Sequence, residues 1–211
     1  MLGLCVCMGT ATGLVSLNAC TPSSSKENMS ADSTKTHENT VIKTIMSRRS
    51  IRKYKDIPVE REKLQTIVEC GLHAPSAMNK QPWQIRVVDN AEYIEGITAV
   101  YKKAHPETAE DENFKNMFRN APAVIFIASP TDGSGQLDCG LLGENILLAA
   151  QSLELGTCCL GGPVRFMCNT PEAAPYVERL QLPDDYILLY AIAVGYPDEW
   201  VSRKLVGINF S

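Results

Sequence analysis

Nine consecutive residues, Tyr186-Ile187-Leu188-Leu189-Tyr190-Ala191-Ile192-Ala193-Val194, contain no charged or amide side chain. In an extended chain successive side chains point to opposite faces, so a run this apolar must be covered on both sides and reads as a central strand. Ala123 to Ala128 is a second such run, continuous and rich in β-branched residues. Between them, Leu137 to Leu155 has the length and spacing of the longest helix. Its Leu142, Ile146, Ala149 and Leu153 share one face, while Leu137, Leu141 and Leu148 widen it. A helix apolar over that much of its surface is buried on more than one side, in the core or at a subunit interface. Shorter elements precede these: helices over Thr40–Met46, from Pro58 through Glu60, Glu62 and Leu72, and over Glu92–Lys103, with a strand over Trp83–Val88. His105 to Asn113 reads as a loop or short lid, and Phe114 to Arg119 as a helical turn. Helices and strands alternate without a Gly-rich turn of the dinucleotide type, which argues against a Rossmann fold.

The chain is 211 residues long with a formal net charge of −4, which suits one domain and argues against a general nucleic-acid binder. Three segments are expected: residues 1–20, 21–39 and a folded body over 40–211. Residues 1 to 25 hold no charged side chain; within them stands Leu17-Asn18-Ala19-Cys20, followed by a polar tract from Thr21 to Asn39. That is the layout of a lipoprotein signal with a lipid anchor at Cys20 and a flexible tether, which places the body at the cell envelope. If the leader is not a signal, the expected location is cytoplasmic. The body's Cys70, Cys139, Cys158, Cys159 and Cys168 form no Cys-x-x-Cys pair, and the three histidines are scattered. No metal site is expected, and the cysteines read as small hydrophobes.

Four stretches can carry chemistry. Arg48-Arg49-Ser50-Ile51-Arg52 packs three guanidinium groups and a hydroxyl into five residues. It is either the solvated basic end of a helix or a grip for a phosphomonoester, for which arginine forks and a hydroxyl are the matching donors. Pro75-Ser76-Ala77-Met78-Asn79-Lys80-Gln81-Pro82-Trp83 is either a helix stop with a core tryptophan or an amide-rich border for a flat heterocycle. In Leu155-Gly156-Thr157-Cys158-Cys159-Leu160-Gly161-Gly162-Pro163, Gly156 reads as the left-handed cap of the long helix. Gly161 and Gly162 would let a ligand approach backbone closely. Arg203-Lys204, beyond the last strand, is a cationic pair, solvated or ligand-binding.

In this order and spacing the stretches resemble the nitroreductase family over roughly Thr40 to Lys204. The carriers are Arg-x-Ser-x-Arg after the first helix, Pro-Ser-x-x-Asn-x-Gln-Pro-Trp, the Asp138 to Leu155 segment, the Gly-Thr-Cys and Gly-Gly pairs, and Gly195-Tyr196-Pro197 before a basic residue. One departure is Glu154, where the family usually has glycine.

The resemblance implies an α+β, nitroreductase-like fold: a central mixed β-sheet flanked by helices, in a homodimer with FMN at the interface. It implies that Arg48, Arg49, Ser50 and Arg52, with Arg203 or Lys204, hold the FMN phosphate. Pro75, Ser76, Asn79 and Gln81 would line the isoalloxazine from the partner subunit, and Leu160, Gly161 and Gly162 would offer backbone contacts near N5. The implied activity passes hydride from NAD(P)H through the flavin to an electron-poor acceptor such as a nitroaromatic or quinone. Such chemistry requires no protein acid, base or nucleophile. The alternatives are a non-enzymatic flavin-binding lipoprotein of the envelope, or another flavin reductase or dehydrogenase activity on the same scaffold.

Overall fold

The computed structural model describes residues 39–202. The segments read as leader, most of the tether, and the Arg203-Lys204 pair lie outside the described residues. In chain order the elements are α1 (Thr40–Ser47), α2 (Arg61–Leu72), β1 (Gln84–Val88), α3 (Ala91–Ala104), β2 (Ala123–Pro130), α4 (Gln136–Ser152), β3 (Gly156–Leu160), α5 (Gly162–Asn169), α6 (Ala174–Glu178) and β4 (Tyr186–Gly195). No helix among the described residues is long and apolar enough to cross a membrane.

The four strands form one sheet in the order β1-β2-β4-β3. Every ladder in it is antiparallel, with Phe126 opposite Ala191 at the centre and Cys158 opposite Ala193 toward the β3 edge. The parallel component expected of a mixed sheet is confined to one isolated bridge, Ser50 with Thr157, outside β3.

Both apolar runs lie in the middle of the sheet, as their composition requires. In β2, Val124, Phe126 and Ala128 face one side, where Tyr93, Ile94 and Ile97 of α3 and Val164 and Met167 of α5 complete a core. Ile125 and Ile127 face the other, against Leu64 and Ile67 of α2 and Leu142, Ile146 and Leu147 of α4. The period of two along the strand thus divides the core into two layers, giving helices on both faces of the sheet. The outer strand β1 is five residues long. Its Arg86 guanidinium donates to the carbonyls of Leu180 (2.6 Å) and Gln181 (2.8 Å).

Two local expectations change. The long helix ends at Ser152, and the left-handed residue after it is Glu154 (φ 62°), not Gly156. Leu155 then drops into the core and Gly156 opens β3 as extended backbone. Its glycine is required by contact: a Cβ there would stand 2.9 Å from Ile51 Cβ. Phe114 to Arg119 is a set of turns, held by asparagine side chains instead of a helix ladder.

These two positions carry opposite expectations. Gly156→Ala should destabilise by about 1–3 kcal/mol, the usual cost of forcing an extra methyl into a packed contact. Glu154 is exposed, so Glu154→Gly should relieve left-handed strain and stabilise by about 1 kcal/mol. Urea midpoints at constant m-value measure both.

Candidate functional site

The Arg cluster is delivered by α1 and then fixed by the sheet. Asn39 caps the helix by accepting from Val41 N–H (2.9 Å) and Ile42 N–H (3.3 Å). After Ser47 the chain runs extended alongside β3 and the end of β4. Ile51 N–H donates to Thr157 O (2.9 Å), Lys55 N–H to Tyr196 O (2.9 Å), and Asp198 N–H to Lys53 O (2.9 Å). Ile51 and Tyr54 are buried, and the Tyr54 hydroxyl donates to Ile51 O (2.6 Å). Burial holds the Tyr54 phenol far above its ordinary range, so it stays a neutral donor. Arg52, between these buried residues, is exposed. Its backbone N–H donates to the Glu199 carboxylate and its Nη1 to Ser50 O (3.2 Å).

The first two arginines are only partly satisfied. Arg48 Nε lies 3.5 Å from Glu144 Oε1 on α4, within ion-pair range but without a hydrogen bond. Arg49 Nη1 donates to the carbonyls of Met46 (2.6 Å) and Arg48 (2.7 Å). Both Nε–H groups are buried and lack an acceptor among the described residues. Buried donors left without partners are uncommon, and adjacent guanidinium groups with unmet donors suit an anion with several oxygens.

A cavity of about 1240 Å³ opens beside this strap, bordered by Arg52, Lys53 and Cys158 through Pro163. Added Cβ atoms at Gly161 and Gly162 would meet nothing within 4 Å. Their missing side chains therefore leave open space over the backbone instead of room for a neighbour. The segment after β3 is the start of α5, with Pro163 in its first turn and no side-chain cap, a helix that the sequence reading did not mark. Proline just inside a helix start was the signal that could have revealed it. Leu160 is buried and points into the core under the cavity floor. Burial pushes the Cys158 and Cys159 thiols upward, toward the neutral form, and all five described cysteines are free.

The Pro75–Trp83 loop lies elsewhere in the same chain. It sits at the amino end of α4, where Ala77 N–H donates to Asp138 Oδ2 (3.2 Å). Gln81 N–H donates to Ser76 Oγ (3.0 Å), and the Gln81 amide to Asn79 Oδ1 (3.1 Å). Met78, Asn79 and Gln81 all have positive φ (52°, 55° and 49°), each at a cost of about 1–3 kcal/mol. Trp83 is buried, while Pro75, Asn79 and Gln81 are exposed. None of these residues borders the cavity. Of the residues singled out from sequence, Arg52, Leu160, Gly161 and Gly162 meet at the cavity; Arg48, Arg49 and Ser50 stand next to it through the strap. The expected lid at His105 to Asn113 does border it, along with Arg119 and Arg165, which no motif marked.

Comparison with known proteins identifies the family of the chain. The family model described as the Nitroreductase family matches residues 45–196. An NADPH-flavin oxidoreductase of Vibrio harveyi is 32% identical over 167 residues, covering 76% of this chain and 67% of its own. A nitroreductase with bound FMN from Bacteroides fragilis superposes with TM-score 0.68 at 27% identity, covering 82% of this chain and 99% of its own. A second nitroreductase with bound FMN, from Desulfitobacterium hafniense, gives TM-score 0.70 at 26% identity, covering 82% and 98%. A family match over residues 45–196, together with these relatives, makes the chain a member of the nitroreductase family.

Proposed function

We propose that this protein is an FMN-dependent oxidoreductase that takes reducing equivalents from NAD(P)H and delivers them to an electron-poor acceptor such as a nitroaromatic or quinone. The observation that carries the reading is the pair of buried Nε–H groups of Arg48 and Arg49, which make no hydrogen bond among the described residues, on a strap whose Arg52 borders a cavity lined by Gly161 and Gly162. That donor set fits a phosphate monoester next to a flat ring system. Relatives named for flavin and NAD(P)H chemistry support it.

Bound FMN supplies hydride chemistry at its ring N5. The chain's own residues bind and orient. Arg48, Arg49, Ser50 and Arg52 hold the phosphate, joined by Arg203 or Lys204 from the carboxyl-terminal segment. The Glu199 carboxylate fixes the backbone of Arg52, so the guanidinium starts from a set position. Leu160, Gly161 and Gly162 present backbone to the ring, and the uncapped start of α5 favours electron-rich atoms there. No acid, base or nucleophile is assigned, because positioning and electrostatics suffice.

The Pro75–Trp83 loop enters through a second chain. Helix α1 buries none of its residues, with Val41 65%, Ile45 46% and Met46 52% exposed. On α4, Leu137 is 76% and Leu141 40% exposed. A homodimer that covers these side chains would bring Pro75, Ser76, Asn79 and Gln81 to the partner's cavity, with FMN at the interface. The strained loop conformation is in keeping with a binding role. We propose a lipid anchor at Cys20: labelling with a fatty-acid probe should disappear in Cys20→Ala.

Purified protein should show a flavin band near ~450 nm that bleaches anaerobically on adding NADH or NADPH. Colourless protein that refuses FMN would end the reading. Arg52→Ala should weaken FMN binding about 10- to 100-fold, the range for losing one charge-assisted phosphate contact; unchanged occupancy would count against the phosphate assignment. Ile45→Glu should shift sedimentation toward a single chain and lower flavin content with it. A dimer that persists, or a monomer that keeps its flavin, contradicts the shared-interface arrangement.

A further inference from the structure

Part of the cavity wall is aromatic. Tyr101 and His105 come from the end of α3, Phe114 from the loop after it, and Phe166 from α5. The Tyr101 ring lies 4.4 Å from His105 at 27°, 5.8 Å from Phe114 at 16°, and 4.9 Å from Phe166 at 69°, centre to centre. All four are half-buried: they pack on one another and still border the cavity. A ring cluster that only completed the core would not be left facing an opening of this size. The opening also exceeds the roughly 300–1,000 Å³ of an ordinary small-molecule pocket, so one heterocycle does not fill it.

Charge is arranged around these rings. The side chains of Arg52, Lys53, Lys115, Arg119 and Arg165 border the cavity against three carboxylates, Asp111, Glu112 and Asp198. Lys115 is already paired with Asp56 at 2.7 Å. Arg119 and Arg165 hold no ion pair among the described residues, and both are exposed. The loop that carries Phe114 and Arg119 is built rather than loose. Asn120 Oδ1 accepts from Lys115 N–H (2.9 Å) and Asn116 N–H (3.0 Å), and Asn116 Oδ1 accepts from Phe118 N–H (2.9 Å) and Asn120 N–H (3.1 Å). This network holds Arg119 and Asn120 at positive φ, 62° and 63°. A backbone kept there by side-chain hydrogen bonds presents Arg119 in a defined place.

We propose that this wall is a subsite for a flat ring bearing an anionic group, with the ring against Tyr101, His105, Phe114 and Phe166 and the anion on Arg165 and Arg119. Aromatic faces favour stacked or edge-on rings, and guanidinium forks favour carboxylate and phosphate oxygens. The role of the subsite rests on the oxidoreductase reading. Its occupant is then either an aromatic carboxylate acceptor or the adenosine phosphate end of the donor. Binding itself does not depend on turnover.

The test is calorimetric titration of the protein as purified with two matched pairs: benzoate against benzamide, and adenosine 5′-monophosphate against adenosine. The charged member of at least one pair should bind about 10-fold more tightly, the effect of one charge-assisted contact. Arg165→Gln or Arg119→Gln should remove most of that preference, and Phe166→Leu should weaken both members of the pair. A preference for benzoate assigns the acceptor side; a preference for the nucleotide assigns the donor side. Equal binding within both pairs overturns the subsite, and so does a preference that survives both arginine changes. Arg165 is exposed, so its variant tests the idea even if Phe166→Leu unfolds. Failure of NAD(P)H to bleach the flavin would overturn the oxidoreductase reading and leave this comparison intact.

Discussion

Everything that makes the cavity usable depends on the seam between residues 50–55 and the outer edge of β3. Ile51 donates to Thr157, its side chain fills the space where Gly156 has no Cβ, and Tyr54 anchors the far end. Ile51 and Tyr54 are turned into the core, while Arg52 and Lys53 between them are exposed and border the cavity beside Cys158–Gly162. The burial of its apolar neighbours sets where the Arg52 side chain leaves the backbone, and its Nη1 bond to Ser50 O adds a contact of its own. A seam of this kind also covers a sheet edge, since Ser50 pairs where a further strand would otherwise add.

The parts legible in the sequence are those fixed by local periodicity. The runs at Ala123–Ala128 and Tyr186–Val194 had to be strands, and both are; the first is buried throughout, the second from Ala191 onward, with Ile187 left exposed. The long helix was recognisable from its leucines, including the breadth that leaves Leu137 and Leu141 uncovered in the single chain. Its end was misplaced because Gly156 is a familiar cap signal, whereas the left-handed residue is Glu154, a type with no preference for that conformation. Gly156 serves a contact with a residue more than a hundred positions away, and no local rule reaches that far.

The same distinction governs the candidate site. Arg52, Leu160, Gly161 and Gly162 were legible because they belong to ordered motifs. The aromatic wall was not. Tyr101, His105, Phe114 and Phe166 come from two helices and a loop, each individually unremarkable, and only the tertiary fold brings them into contact. Arg165 falls on α5, a helix that no sequence pattern had marked. The Pro75–Trp83 loop shows the converse: its residues are conspicuous in sequence, yet within one chain they stand apart from the cavity.

The two outer strands differ in how they are finished. β3 is covered by the strap, while β1 is only five residues long and carries Arg86, tied to the carbonyls of Leu180 and Gln181. Short, charged borders resist the docking of foreign strands. Growth by sheet extension, the route by which many β-containing proteins aggregate or swap segments, is thereby discouraged at both ends. What the molecule leaves available for self-association is helical surface, which can be covered and uncovered without breaking a single backbone ladder.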